Sequence, residues 1–191
     1  MKKILSTLTL LLAIGYGAWA STQTWTSGNT ICTLDDERVF TISAIPDTDG
    51  VMSDHFTNYP GCKDELSTVS KVVVEEGVTV IGQYTLPNLP DVTISLPNTL
   101  KEIRSNAFRF GKMTKITIPS SVTKVAAGAF HVCSYLADVY CYASPYTLTW
   151  GKSSFDFIHS PDDWIYVTRM HVKTIFLDAF QSKFSGSRRL N

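Results

Sequence analysis

The sequence predicts a β-rich α/β solenoid, a stack of about four coils with an amino-terminal β-hairpin cap and a carboxyl-terminal cap of one strand and one helix. One apolar pattern occurs three times between residues 72 and 130, at a spacing of 22 residues. Each copy opens with an alternating apolar run, which is typical of a strand that buries one face. A fixed period of roughly 20 to 50 residues is typical of solenoids, because stacking buries apolar surface that no single coil buries alone.

Five apolar positions in each copy define the expected core. They are Val72, Val74, Val78, Ile81 and Leu86, then Ile94, Leu96, Leu100, Ile103 and Phe108, then Ile116, Ile118, Val122, Val125 and Phe130. The first two positions are predicted to point inward from a strand, and the next two to face the core from the opposite wall. Phe108 and Phe130 follow alanines at a bend and are predicted to fill the coil centres, where burial of a ring contributes ~2 kcal/mol or more.

The first 20 residues have the pattern of a cleavable secretory signal peptide. Lys2 and Lys3 precede an apolar run over residues 4–14, and Ala18-Trp19-Ala20 forms an A-x-A cleavage site. An uncleaved membrane anchor is the alternative, but the run is short and no second apolar run follows. We therefore expect a secreted or cell-surface protein with no integral membrane span after cleavage.

Residues 21–68 are predicted to form the hairpin cap and its connection to the repeats. Residues 21–30 are rich in Ser, Thr and Gly and are expected to be a flexible start. Residues 30–34 and 39–42 have strand composition and flank a polar turn, so they predict a hairpin that covers the first coil. Residues 45–68 are expected to be irregular, and Asp47-Thr48-Asp49-Gly50 is better explained by a turn than by a calcium loop. Residues 69–160 hold the repeats, and residues 161–191 the carboxyl-terminal cap and tail.

Charge and motifs narrow the classes of function. The chain has 17 Lys plus Arg and 17 Asp plus Glu, and removal of Lys2 and Lys3 leaves 15 against 17, a net charge of −2. No basic stripe is present, so nucleic acid is not expected as a partner. The four histidines are scattered, and no hydrolase or metalloprotease motif occurs. The sequence therefore predicts a protein without enzymatic activity or cofactor.

Four cysteines leave two interpretations open. Cys32, Cys62, Cys133 and Cys141 allow two disulfides in three connectivities if the chain is exported. They are otherwise small buried apolar residues, since free cysteine is among the most buried residue types. No spacing typical of a zinc site occurs.

Residues 92–108 and 115–133 contain a longer motif. They are Val92-Thr-Ile-Ser-Leu-Pro-Asn-Thr-Leu-Lys-Glu-Ile-Arg-Ser-Asn-Ala-Phe108 and Lys115-Ile-Thr-Ile-Pro-Ser-Ser-Val-Thr-Lys-Val-Ala-Ala-Gly-Ala-Phe-His-Val-Cys133. This motif resembles the BspA-like leucine-rich repeats of bacterial secreted and surface proteins. Residues 33–43, 74–79, 139–142 and 164–167 are similar to the family's amino-terminal hairpin, first coil, last coil and closing strand.

The resemblance covers about residues 30–180 and implies a leucine-rich repeat fold, with cell-surface adhesion and binding of host matrix proteins in some members. The chain departs from the family at Thr85-Leu86, which replaces Ala-Phe, and at Gly111, which replaces a cysteine. It also departs at residues 167–170, where the family usually has Val-Pro and a glycine. A helix is expected around residues 171–180, followed by a loose tail.

The candidate binding residues are the outward positions of the strands. Equivalent positions of stacked coils form rows with a spacing of about 4.8 Å. One row is Lys71, Thr93, Lys115 and Asp138, and the next is Val73, Ser95, Thr117 and Tyr140, flanked by Tyr142. Aromatic residues on a solvated face often anchor interfaces, whereas Trp150 is expected to cover the last apolar layer. We predict a binding module for an extracellular protein or glycan. The alternative is a structural envelope protein or a subunit of a surface assembly.

Overall fold

The computed structural model describes residues 22–58, 62–151, 154 and 169–183. The predicted signal peptide at 1–20, the predicted closing strand at 164–167 and the tail at 184–191 lie outside the described residues. The strands are β1 (Gln23–Ser27), β2 (Thr30–Leu34), β3 (Val39–Ala44), β4 (Lys71–Val74), β5 (Val80–Ile81), β6 (Thr93–Ser95), β7 (Glu102–Ile103), β8 (Lys115–Ile118), β9 (Lys124–Val125), β10 (Asp138–Cys141), β11 (Thr149–Trp150) and β12 (Arg169–Val172). The α-helices are α1 (Cys62–Leu66) and α2 (Leu177–Lys183).

One side of the stack, the strand wall, consists of β3, β4, β6, β8, β10 and β12. The sheet order is β1-β2-β3-β4-β6 in one part and β8-β10-β12 in the other. All pairs from β3 onward are parallel, and Val72 pairs with Ile94 while Ile116 pairs with Val139. Residues at equivalent positions of the repeat are therefore neighbours in space, as the period predicts.

The opposite wall consists of β5, β7, β9 and β11, which form one continuous parallel sheet. Its strands are two residues long, and Ile81 pairs with Ile103, which pairs with Val125. All three side chains are fully buried. The predicted second group of inward-facing residues is therefore confirmed.

The core lies between the two walls. Phe108 and Phe130 are fully buried, and their rings stack with centroids 5.2 Å apart and an interplanar angle of 4°. Ile116 and Ile118 are buried beside them. These positions match the predicted core. Two residues of the predicted core at β6 differ: Ile94, within the strand, is buried, but Leu96, directly after it, is only partly buried.

Two segments at the amino-terminal end differ from the sequence prediction. The flexible start predicted for residues 21–30 is wrong, because Gln23–Ser27 form β1 and pair antiparallel with β2. The irregular connection predicted for residues 45–68 is wrong in part, because α1 lies within it. Tertiary contacts stabilise both elements: Trp25 packs against Phe40, and Glu65 of α1 accepts hydrogen bonds from Gln23 and Arg38. The predicted hairpin of β2 and β3 is confirmed.

The helix predicted for residues 171–180 begins later, at Leu177. Arg169–Val172 instead form β12, which pairs in parallel with β10. Met170 is buried while Arg169 and His171 are exposed, the alternation of a half-buried strand. No described helix has the length and apolarity that a bilayer crossing requires.

All four cysteines are free, buried thiols. Burial raises the pKa of Cys32, Cys62 and Cys133 to about 12 and that of Cys141 to about 11. The sulfur of Cys133 donates a hydrogen bond to the carbonyl of Phe108 at 3.0 Å. The structure thus supports the interpretation as buried apolar residues.

Candidate binding face

The outward-facing side chains of β4, β6, β8, β10 and β12 form the strand face. The strand register aligns Lys71 with Thr93, and Lys115 with Asp138 and then Arg169. The second row aligns Val73 with Ser95, and Thr117 with Tyr140 and then His171. The predicted rows therefore exist within each of the two sheets. The role of these residues in binding stays a prediction.

The strand face is interrupted between β6 and β8, so the expectation of a continuous face is wrong at this point. No ladder joins these two strands, although their Cα atoms approach within 8 Å. A cleft of about 310 Å³ lies here. It is lined by Thr93, Ile94, Lys115, Ile116, Thr117, Tyr140 and Tyr142. We call the space between β6 and β8 the gap.

A proline at the end of β8 contributes to the gap. In the next coil, the amide of Tyr142 donates to the carbonyl of Ile118 at 2.9 Å and extends the ladder by one bond. Pro119 occupies the equivalent position after β8 and has no amide proton to donate to the carbonyl of Leu96. A ladder between β6 and β8 would therefore lack its last hydrogen bond.

A side chain replaces the main chain at the start of β8. The amide of Thr114 donates to the carboxylate of Asp91 at 3.2 Å. One coil later, the amide of Ala137, at the position equivalent to Thr114, donates to the main-chain carbonyl of Thr114 at 2.9 Å. The Asp91 carboxylate thus holds an amide adjoining β8 outside the main-chain ladder.

A polar cluster lies at the carboxyl-terminal end of the strand face. Arg169 donates two hydrogen bonds to the Asp138 carboxylate, both at 2.9 Å, and Nε2 of His171 lies 2.7 Å from Asp138 Oδ1. The bonds from His171 and Arg169 lower the pKa of Asp138, whose carboxylate in turn raises the pKa of Arg169. The ring of Tyr140 stacks on His171 with centroids 4.4 Å apart. This stacking fixes the orientation of Tyr140.

Arg169 and His171 are members of the face that the sequence analysis missed. His171 falls in the segment predicted as a helix and Arg169 lies just before it, yet Arg169-Met170-His171-Val172 alternates polar and apolar residues. That alternation is the signal of a strand with one buried face and would have placed both residues in the two rows.

Positive charge is uncompensated in the middle of the strand face. Among the described residues, Lys71 and Lys115 have no carboxylate within ion-pair distance. Asp138, the acid in the same row, is already bound by Arg169 and His171. The face around the gap therefore favours an anionic ligand.

The remaining aromatic residues near the carboxyl-terminal end of the strand face have different surroundings. Tyr142 is 47% exposed beside the gap, and Tyr146 is also exposed, with its ring 6.2 Å from that of Phe176. Trp150 is partly buried and packs against the core, as expected for a residue that covers an apolar layer. Tyr140 and Tyr142 are thus the aromatic residues that border the gap.

Comparison with solved structures finds three bacterial leucine-rich repeat proteins. A leucine-rich cell surface protein from Faecalibacterium prausnitzii is 16% identical, with a TM-score of 0.33 over 63% of this chain and 55% of its own. A leucine-rich repeat protein from Eubacterium ventriosum is 19% identical, with a TM-score of 0.35 over 63% and 44%. The pneumococcal vaccine antigen PcpA is 17% identical, with a TM-score of 0.45 over 79% and 43%.

This chain therefore spans about half the length of these structures or less. No curated protein matches the chain. The family model described as BspA type leucine rich repeat region (6 copies) matches residues 63–183, which is more than half of the chain. The chain belongs to the BspA-type leucine-rich repeat family.

Proposed function

We propose that this chain is a non-enzymatic extracellular binding module that engages a protein or a glycan through its strand face. The observation that supports this best is the cleft on that face, where Lys115, which has no described carboxylate partner, lies with the rings of Tyr140 and Tyr142. Aromatic rings beside donors from one cation and several hydroxyls are typical of binding surfaces. The binding residues we propose are Lys71, Val73, Thr93, Ser95, Lys115, Thr117, Asp138, Tyr140 and Tyr142.

The proposal includes the organisation of the stack. About four coils open with β4, β6, β8 and β10, β1 to β3 cover the first coil, and β12 with α2 covers the last. An antiparallel hairpin that pairs with β4 satisfies a strand edge that would otherwise face water. A rigid stack of this kind holds the rows of the strand face in fixed register.

Export is also part of the proposal. Residues 1–20 would direct the chain to the outside of the cell, where it would be secreted or held at the surface. One of the similar structures is that of a leucine-rich cell surface protein. No nucleic acid and no cofactor take part in the proposed function.

The test captures partners from an extracellular extract on immobilised residues 21–191. The test variant carries Thr117→Arg with Tyr140→Ala, which adds bulk and charge to the strand face and removes one ring. The control variant is Thr149→Arg, because Thr149 is an exposed strand threonine on the opposite wall. All three proteins are first shown to be folded by circular dichroism and thermal melting.

A partner that binds the wild type and the control but not the test variant would support the proposal. A partner that binds all three equally would show that the strand face is the wrong surface. If no partner binds any of them, the structural role, as an envelope protein or assembly subunit, becomes the better account.

A further inference from the structure

The gap exposes main-chain hydrogen-bonding groups of β8. The carbonyls of Thr114 and Ile118 accept hydrogen bonds from main-chain amides in and beside β10. In a parallel ladder, alternate residues direct their amide and carbonyl groups to opposite neighbours. The amides and carbonyls of Lys115 and Thr117 therefore face β6, to which no main-chain ladder joins them.

The apolar side chains in and beside β6 show that the gap is open to solvent. Val92 is 8% exposed and Ile94 is 7% exposed, whereas Ile116 at the equivalent position of the next coil is 1% exposed. Leu96 is only partly buried. Solvent therefore reaches the edge of the core at β6, which it does not do at β8.

The groups at the gap are mostly hydrogen-bond donors or can act as donors. They are the ammonium of Lys115, the hydroxyls of Thr93 and Thr117, and the main-chain amides of Lys115 and Thr117. Of the two nearby carboxylates, that of Asp138 is bound by Arg169, and that of Asp91 accepts the amide of Thr114 at the start of β8. Charge-assisted hydrogen bonds from amides and an ammonium to a carboxylate are among the strong ones in proteins.

The width of the gap limits what enters it. A peptide strand inserted between β6 and β8 would need them about 9.6 Å apart, twice the usual spacing. Their Cα atoms come within 8 Å, and the cleft volume is about 310 Å³. The gap therefore accommodates a side chain, while the main chain of the ligand stays on the strand face.

We propose that the gap binds a carboxylate side chain of an extended acidic peptide segment. The carboxylate accepts hydrogen bonds from the amides of Lys115 and Thr117 and from the Lys115 ammonium. This inference rests on the proposed function and names its ligand class. A peptide is favoured over an acidic glycan because a Glu carboxylate lies at the end of a slender side chain, whereas a uronate carboxylate is attached directly to a sugar ring, which is too wide for the gap. The exposed ring of Tyr142 packs against a neighbouring peptide side chain.

The test uses synthetic peptides of about eight residues, long enough to run along a whole strand. One peptide alternates Thr and Glu, its partner alternates Thr and Gln, and both are blocked at their ends. Isothermal titration calorimetry with residues 21–191 measures the affinity of each. We expect the Glu peptide to bind about tenfold more tightly than the Gln peptide, because only Glu supplies a carboxylate.

Lys115→Gln should weaken binding of the Glu peptide about tenfold. The matched control is Lys101→Gln, an exposed lysine beside β7 on the opposite wall, which should leave the affinity unchanged. The bound Glu peptide should also slow hydrogen exchange at the amides of Lys115 and Thr117. Thr117→Arg, which blocks the mouth of the gap, is a second variant that should abolish this protection.

Equal binding of the two peptides, or no binding of either to the folded protein, would overturn the inference. An oligogalacturonate that binds at the gap when the Glu peptide does not would also overturn it, and would assign the carboxylate to an acidic glycan. If the capture experiment finds a partner on the strand face but the Glu peptide does not bind, the proposed function stands and only the ligand class is wrong.

Discussion

The two walls of the stack have the same period but different continuity. On the opposite wall, the ladder continues past every strand end, since the amides of Arg104, Ala126 and Gly151 donate to the preceding coil at 2.8–3.0 Å. On the strand wall, the ladder stops between β6 and β8. The apolar repeat decides which side chains face inward, but the residues that flank a strand decide whether its main chain pairs. The gap is thus compatible with a regular repeat.

The core and the bends hold the two coils together where the strand wall does not. The rings of Phe108 and Phe130 stack across the boundary between these coils. The amide of Phe108 also donates to the carbonyl of Ala129 at 2.9 Å. These contacts and the continuous opposite wall offset the hydrogen bonds missing at the gap.

The largest loss of stability is expected from Phe108→Ala, because it removes a ring that lies in the core between the two walls. Loss of a fully buried phenylalanine should lower the free energy of unfolding by about 3 to 5 kcal/mol. Chemical denaturation measures it, with Phe110→Ala as the control, since Phe110 is 40% exposed. A Phe108→Ala variant that melts within about two degrees of the wild type would contradict this account of the core.

Alanine substitution of one isoleucine in each wall compares the contributions of the two walls to stability. Ile103 is fully buried in the opposite wall, whereas Ile94 borders the gap. Ile103→Ala should lower the free energy of unfolding by about 4 kcal/mol, and Ile94→Ala by about half as much. The loss is smaller at Ile94 because the space left at the gap fills with water rather than remaining an empty cavity. Denaturant titration of both variants gives the comparison, and equal costs would argue that the gap is closed in solution.

Acid should weaken both walls, since each contains a carboxyl group with a lowered pKa. On the strand wall, hydrogen bonds from His171 and Arg169 lower the pKa of Asp138. Beside the opposite wall, burial opposes ionisation of Asp54, but hydrogen bonds from Gln83 and Arg104, which follow β5 and β7, outweigh it and lower its pKa.

A carboxyl group whose pKa is lower in the folded state stabilises the fold at pH values above its unfolded pKa. That stabilisation is lost as the pH falls through the lower folded pKa. Stability should therefore fall as the pH drops below about 3.8, the ordinary value for an aspartate. Measurement of the free energy of unfolding against pH should show a shallower decline for Asp138→Asn. An unchanged slope would mean that the cluster around Asp138 does not form in solution.

The smallest effect on stability is expected from Pro119→Glu, which restores the amide that the gap lacks. One new hydrogen bond contributes about 1 kcal/mol, but loss of proline makes the unfolded chain more flexible by a similar amount. The free energy of unfolding should change by less than about 1 kcal/mol, while hydrogen exchange at Thr117 slows. Pro97→Glu is the control, because β6 already pairs with β4. Unchanged exchange at Thr117 would show that Pro119 is not what keeps the gap open.

The sequence predicted those parts of the fold that repeat. Residues such as Ile103 and Phe108 are recognisable because the same position is apolar in every coil. In contrast, β1 and α1 depend on contacts that occur once, such as Glu65 with Arg38, and no local pattern encodes them. β12 had a local signal in the alternation around Met170, but the expectation of a helix from residue 171 onward took precedence.

The gap was not predictable from proline alone. Pro97 occupies the same position in its coil as Pro119, and yet β6 pairs with β4. The difference lies in Asp91, whose carboxylate takes the amide of Thr114. Asp91 and Pro119, which lie on different coils, therefore act together. A comparison of single positions across the repeats does not reveal such a combination. Of the candidate site, the two rows were predicted and their interruption was not.

Amide hydrogen exchange tests the gap most directly. In the wild-type protein, the amides of Lys115 and Thr117 should exchange about 100-fold faster than those of Asp138 and Tyr142. The last two donate main-chain hydrogen bonds to β8 or the residue before it, whereas no main-chain ladder joins the first two to β6. Equal protection of all four amides would mean that β6 and β8 pair in solution, and the gap and the ligand class proposed for it would both be wrong.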